Sequence, residues 1–247
     1  MLDPSSIGTR LDRVRERIAR AASRGGRDPA LIRLVAVSKT FDADCVRAAA
    51  VAGQRDFGEN KIQEALSKMD RTSDLNLTWH LIGHLQSNKA RRAGARFDVI
   101  HSVDEASLVL KLDNAAVEAG RTVKLLIQVN MAGEPTKHGA RVEAIQPILS
   151  ASATCRAVRI TGLMLLPPAV DEPERARPYF VRLRELRDSL VASGGSAAGL
   201  SELSMGMSHD FEIAIEEGAT LVRIGTAIFG ERRTRGGPAT DDGRIYR

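Results

Sequence analysis

Aromatic residues make up 4% of this 247-residue chain, which has a single tryptophan and two tyrosines. Stacked rings therefore cannot dominate its interior, and Leu, Val, Ile and Ala must fill the core. Cysteine is just as sparse. Cys45 and Cys155 stand far apart and outside any CxxC spacing, which argues against a disulfide framework and fits a reducing cytosol. No run approaches the ~18 apolar residues of a membrane span. The opening "MLDPSSIGTRLDRVRERIARAASRGGRD" lacks the apolar segment of a signal peptide. A soluble, cytoplasmic protein is the expectation. Also missing are HExxH, a GxSxG elbow and a Walker glycine loop with its lysine, which removes the readings tied to those motifs.

A large excess of one charge is missing too. The net charge of +5 comes from 36 Lys and Arg against 31 Asp and Glu. The two signs interleave, as in "RLRELRD" at 182–188. Such interleaving suits a solvated helix face with i,i+4 pairs and not a stripe for phosphates, so nucleic acid is not an expected partner.

What is present is alternation. Leu11, Val14, Ile18 and Ala22 recur at helical spacing between arginines and acids, and Gly25–Gly26 ends that first helix. Short apolar runs then alternate with helical patterns. The spacing predicts strands at 33–39, 56–60, 78–83, 98–104, 124–130, 159–166, 200–206 and 221–225. Most are near-continuous apolar runs, as parallel strands covered on both faces require. The helical stretches include "DEASLVLKLDNAAVEAG" and "EPERARPYFVRLRELRDSLVASGG", each with an acidic start and a glycine stop. Eight alternating units predict an α/β protein with a single (β/α)8 barrel over 1–230 and a loose tail over 231–247. An open doubly wound sheet is the rival. It usually carries a glycine-rich phosphate turn after the first strand, where this chain has "SKT".

In such a barrel, chemistry gathers at the C-terminal ends of the strands. Lys39 closes the first, in "RLVAVSKTF". One reading is a lysine that snorkels to solvent or pairs with an acid. The sharper one is a desolvated amine, neutral and nucleophilic, that condenses with a carbonyl. The segment "LSMGMSHDFEIAIEEGATLVRIGTAIFG" strengthens the latter. It supplies the loops after strands seven and eight, where barrels commonly seat a phosphate, with Ser208 and Thr226 as hydroxyl donors and Gly206 and Gly225 for close approach. Ser208 is equally well explained as a helix N-cap. His80 and His84, in "WHLIGH", would lie roughly 13 Å apart on an extended strand, too far to share one ion unless the chain bends at Gly83, so His80 reads as a pocket or core residue and no metal site is expected. Trp79 and His80 should point to opposite sides of the sheet.

Taken in order, "AVSKT", "FGEN", "WHLIGHLQSNK", "IHSVD", "GLM", "ARPYF" and the long segment at 203–230 resemble the pyridoxal phosphate homeostasis protein family, over about 34–230. The resemblance implies a fold-type III barrel similar to that of alanine racemase, without its C-terminal β-domain, that binds pyridoxal 5′-phosphate (PLP). It implies that Lys39 carries the cofactor as an internal aldimine. By the family pattern Ser208, Gly225 and Thr226 hold the phosphate, and Arg223 faces the pyridine nitrogen. Asn60, His80, Met164 and Ser204 lie near the cofactor. Lys137 matches a lysine at the site entrance, with a solvated loop lysine as the alternative. Lys61 stands where an aromatic is expected and His209 where an acid is more usual, which puts rim charge and ligand access in doubt.

The resemblance implies a monomeric carrier that holds PLP as a reversible imine and passes it transiently to apo-enzymes, without turnover. An arginine at the pyridine nitrogen leaves the ring a poorer electron sink. Two-base racemisation also needs a second acid/base group. Tyr179 falls in a helical stretch and Tyr246 in the tail. A racemase or lyase of narrow scope is one alternative, and a barrel for another phosphate ligand without an imine is the other.

Overall fold

A computed structural model of the chain describes residues 4–133 and 138–231. Its strands are β1 (Arg33–Val37), β2 (Asp56–Glu59), β3 (Thr78–Leu81), β4 (Val99–Val103), β5 (Val123–Gln128), β6 (Val158–Met164), β7 (Glu202–Met207) and β8 (Leu221–Ile224). All pair in parallel with their sequence neighbours, and β8 pairs with β1, so the sheet is a closed barrel. The predicted (β/α)8 architecture is the observed one. Most strands end one or two residues earlier than the apolar runs suggest, so Lys39 sits in the turn after β1.

Alternation along the strands separates two environments. Leu34, Ala36, Phe57 and Trp79 pack outward against the helices, and the Phe57 and Trp79 ring centroids are 5.7 Å apart. Val35, Val99, Leu126, Met164 and Leu221 form a separate buried cluster inside the barrel. His80 also points inward, opposite Trp79 as expected. At the N-terminal mouth, Arg33 lies 3.8 Å from Asp56 and 3.5 Å from Glu202. Thr161 donates to Glu202 at 2.5 Å.

The helices are α1 (Pro4–Arg24), α2 (Ala43–Val51), α3 (Ile62–Arg71), α4 (Ala90–Arg96), α5 (Ala106–Glu118), α6 (Ile145–Ser152), α7 (Arg177–Ala192), α8 (Phe211–Glu216) and α9 (Thr226–Phe229). Strand β8 is followed by one short turn, α9, and the long α1 packs against α9, α8 and α2. The N-terminal helix thus closes the outer ring where the eighth unit is too short to do so. Leu11, Val14, Ile18 and Ala22 are its buried stripe. Arg17 fixes the register with two bonds to Glu212, at 3.0 and 2.9 Å, and its guanidinium lies 4.6 Å over the Phe211 ring.

The i,i+4 pairing expected within "RLRELRD" is not what forms. Arg184 reaches Glu217 at 2.7 Å, and Arg187 pairs with its neighbour Asp188. The first of these ties α7 to the end of α8. Both cysteines are free. Among the described residues no helix is long and apolar enough to cross a membrane. The tail from residue 232 and Lys137 lie outside the described residues.

Candidate functional site

A cavity of about 640 Å³ opens at the C-terminal ends of the strands, within the usual range for small-ligand sites. Its wall follows from the pleat. On five strands an inward residue of the barrel interior is succeeded two positions later by one that reaches the cavity. Val35 is followed by Val37, His80 by Ile82, Leu126 by Gln128, Met164 by Leu166 and Leu221 by Arg223, and all of these successors line the cavity. Lys39, Asn60, Ser208, Gly225 and Thr226 line it as well. His80, Met164 and Ser204 do not. They lie one pleat deeper, fully buried, where Ser204 bonds the wall residue Arg223 from below.

The turn carrying Lys39 is clamped on both sides. Ser38 donates its hydroxyl to Glu59 at 2.6 Å, and the Lys68 ammonium donates to the Ser38 carbonyl at 2.7 Å. Lys68 also binds Glu59 at 2.6 Å and Glu64 at 2.8 Å. Glu64 in turn accepts the Thr40 N–H at 2.5 Å. Thr40 has φ of 71°, a left-handed backbone that a β-branched residue adopts only where its surroundings enforce it. Burial pushes the Glu59 carboxyl above the usual range despite Lys68. Burial also acts on Glu64, but Lys68 and the Thr40 N–H outweigh it and hold that carboxyl below its usual range. The Glu64–Lys68 spacing on α3 was the one sequence signal for this network.

Beneath the cavity runs a buried hydrogen-bonded chain. Arg223 donates to the Ser204 hydroxyl at 2.5 Å and to the Leu165 carbonyl at 2.9 Å. Ser204 meets His101 Nδ1 at 2.8 Å, His101 Nε2 meets His80 Nδ1 at 2.8 Å, and His80 Nε2 meets Asp56 at 3.0 Å. One set of tautomers satisfies every atom. Ser204 accepts from Arg223 and donates to His101; His101 donates to His80, which donates to the Asp56 carboxylate. Burial, with His80 and Arg223 nearby, holds His101 well below its ordinary pKa and therefore neutral. Burial also lowers Arg223 to about 10, with Asp210 opposing the shift.

At the opposite corner, the Gly225 N–H donates to Ser208 Oγ at 3.2 Å, joining the two loops that the sequence singled out. Gly206 turns the chain into α8 with φ of 90°, and a Cβ there would fall 2.6 Å from that of Ala214. Only glycine permits this approach. Asp210 pins the turn by accepting the Met207 N–H at 2.6 Å. Lys61 stands exposed at the N-cap position of α3 without a side-chain cap bond, away from the cavity wall, whereas His209 lies on it. Two further rim residues, His84 and His138, were not assigned to the site from sequence, since the loops that carry them meet only in the fold. Tyr179 packs in the helix layer.

The family model for the N-terminal domain of alanine racemase matches residues 9–233. The pyridoxal phosphate homeostasis protein of Aquifex aeolicus is 44% identical over 224 residues, covering 91% of this chain and 97% of that protein. Its namesake from Pseudomonas aeruginosa is 44% identical, covering 96% of this chain and all of that one. Among solved structures, PipY of Synechococcus elongatus with PLP bound superposes with a TM-score of 0.78 at 40% identity, covering 91% of this chain and 100% of that one. With its closed barrel and its near full-length likeness to these proteins, the chain belongs to the pyridoxal phosphate homeostasis protein family.

Proposed function

We propose that this protein binds pyridoxal 5′-phosphate and serves its homeostasis, holding the cofactor reversibly on Lys39 and releasing it to apo-enzymes. The observation that carries the reading is the cavity itself. Lys39, the Ser208–Gly225–Thr226 corner and Arg223 all line it. The residues present fit the group. An amine suits an aldehyde, hydroxyls and backbone at a loop pair suit a phosphate, and a buried guanidinium suits a ring nitrogen. When bound, PLP supplies a reactive aldehyde and an electron-withdrawing ring. Ser208 and Thr226 would hold the phosphate, and Asn60 would bound the mouth. His80, Met164 and Ser204 act from below by fixing the floor.

Arg223 supports holding over turnover. Even lowered to about 10 it keeps its proton at neutral pH. With PLP in the cavity it would donate to the ring nitrogen without protonating it, which would leave the ring a weak electron sink. The relatives from Aquifex aeolicus and Pseudomonas aeruginosa are called homeostasis proteins. We read the protein as a cytoplasmic monomer that meets apo-enzymes transiently.

Borohydride reduction of the PLP-saturated protein, followed by peptide mapping, tests the reading. A pyridoxyl group on Lys39, absent in Lys39→Ala, is the expected result. An unmodified Lys39 with no imine absorbance would overturn it and leave a barrel for another phosphate ligand. Turnover of an amino acid that is lost in Lys39→Ala would instead favour a racemase or lyase of narrow scope.

A further inference from the structure

The loops after β3, β4 and β5 bring His84, Asp104 and His138 together at the rim, and all three ligating atoms lie within 4.8 Å of one another. His84 Nδ1 is 3.9 Å from Asp104 Oδ2. The two imidazoles stack at 3.6 Å between centroids and 7° between planes. We propose that these three side chains form a binding site for a divalent transition-metal ion of the zinc class.

The donor set points to that class. Two imidazoles and one carboxylate are borderline ligands that suit zinc, cobalt or nickel, whereas magnesium and calcium prefer all-oxygen shells. Three protein ligands with an open position is the pattern of zinc sites that also take a water or a small anion. Here a second cavity lies beside the trio, with Gln86, Ser87 and Glu105 on its wall. That leaves room for the remaining ligand.

The backbone holds one of the ligands, His138, in place. The His138 carbonyl accepts from Gln128 Nε2 at 2.9 Å, and the Ala140 N–H donates to the Gln128 carbonyl at 2.7 Å. Gly139 makes this possible, with φ of 127° and the Asn130 nitrogen 3.0 Å from where a Cβ would lie. What must move is small. Donor atoms around a tetrahedral zinc ion stand about 3.3 Å apart, given bonds near 2.0–2.1 Å. Stacked rings direct their lone pairs side by side, so the ion would draw one imidazole round on its Cβ–Cγ bond. Both histidines are exposed. The ion would staple three loops on the rim of the main cavity, whose wall His84 and His138 share.

The test is calorimetric titration of Zn²⁺ into chelator-treated, PLP-free full-length protein, repeated with Co²⁺ to read the ligand field by absorbance. One ion per chain is expected, with a tetrahedral or five-coordinate cobalt spectrum. Affinity should fall at least about tenfold in His84→Ala and in Asp104→Asn, while the melting curves of the metal-free variants match the wild type. No saturable binding would overturn the proposal. So would equal affinity in wild type and a His84→Ala/His138→Ala double variant, since the ion would then sit elsewhere. The result is independent of the borohydride experiment, because neither ion nor buffer contains PLP.

Discussion

His80 on β3 and Ile82 just beyond its end stand two residues apart and face the same way. His80 is enclosed and engaged on both ring nitrogens, whereas Ile82 borders the cavity. The same contrast repeats around the barrel. In the lower layer, polar groups point at one another, from Arg223 through Ser204, His101 and His80 to Asp56. In the upper layer, Lys39, Asn60, Ser208 and Thr226 border space for a ligand. The lower layer therefore spends its hydrogen bonds on the fold, and the upper layer presents its groups to a guest. Arg223 belongs to both, and so couples a rigid floor to whatever the cavity holds.

The largest effect should come from the support of the upper layer. Lys68→Met would strand the fully buried Glu59 and take a donor from the Ser38 carbonyl. Removing one partner of a buried ion pair costs about 3–5 kcal/mol, roughly 10 °C in Tm for a chain of this size. Capture of PLP by Lys39 should weaken with it, because the turn loses its anchor. The double variant Glu59→Gln/Lys68→Met should regain at least about 1 kcal/mol, as replacing both partners removes the stranded charge. A double variant no more stable than Lys68→Met would mean that the pair acts through packing alone. Thermal melts and PLP titrations of the three proteins decide this.

Next come two variants that should behave as mirror images. His101→Leu leaves His80 and Ser204 short of a partner, at about 2–4 kcal/mol of stability, while PLP affinity stays within about threefold. Ser208→Ala should weaken PLP binding about tenfold, or ~1.4 kcal/mol, with a Tm change of only about 2 °C. Proportional losses of stability and affinity in both would break the division between floor and wall.

Much of the barrel was legible because its signals are local. Apolar runs of strand length, helical periodicity in α1 and glycine stops are written within single segments. Lys39, Ser208, Gly225 and Thr226 could be picked out because they end strands or open the turns after them. His80, Met164 and Ser204 were expected near the cofactor, and they lie buried beneath the cavity wall, with Ser204 bonded to Arg223. A two-residue pleat is finer than the accuracy with which a strand end can be read from composition. The Arg223-to-Asp56 chain links residues from β2, β3, β4, β7 and β8, and nothing in one segment announces its partner in another. The same holds for His84, Asp104 and His138, which three separate loops deliver to one spot.

The smallest effect is one of pH, and it tests the neutrality of the floor. His101 is held well below its ordinary pKa by burial first, then by His80 and Arg223. In the unfolded chain it would titrate near 6.5. Below that pH the unfolded state binds a proton that the folded state refuses, so stability present at pH 7 is lost on acidification. The loss has a limiting slope of ~1.4 kcal/mol per pH unit, reached well below 6.5, and between pH 6.5 and 5.5 it amounts to somewhat less. Carboxylates with lowered pKa values, such as Glu64 and Glu212, lose their contribution only at lower pH, and those that burial raises, Glu59 and Asp210, act in the opposite direction and in both proteins alike, so the difference between wild type and a His101 variant reads His101. His101→Gln keeps a donor and an acceptor in the chain but cannot be protonated, so its urea midpoint should fall less over the same interval. Equal slopes in the two proteins would show that His101 takes up its proton inside the barrel. The floor would then carry charge beneath Arg223, and the division between a self-satisfied layer and a ligand-facing one would need to be drawn one pleat lower.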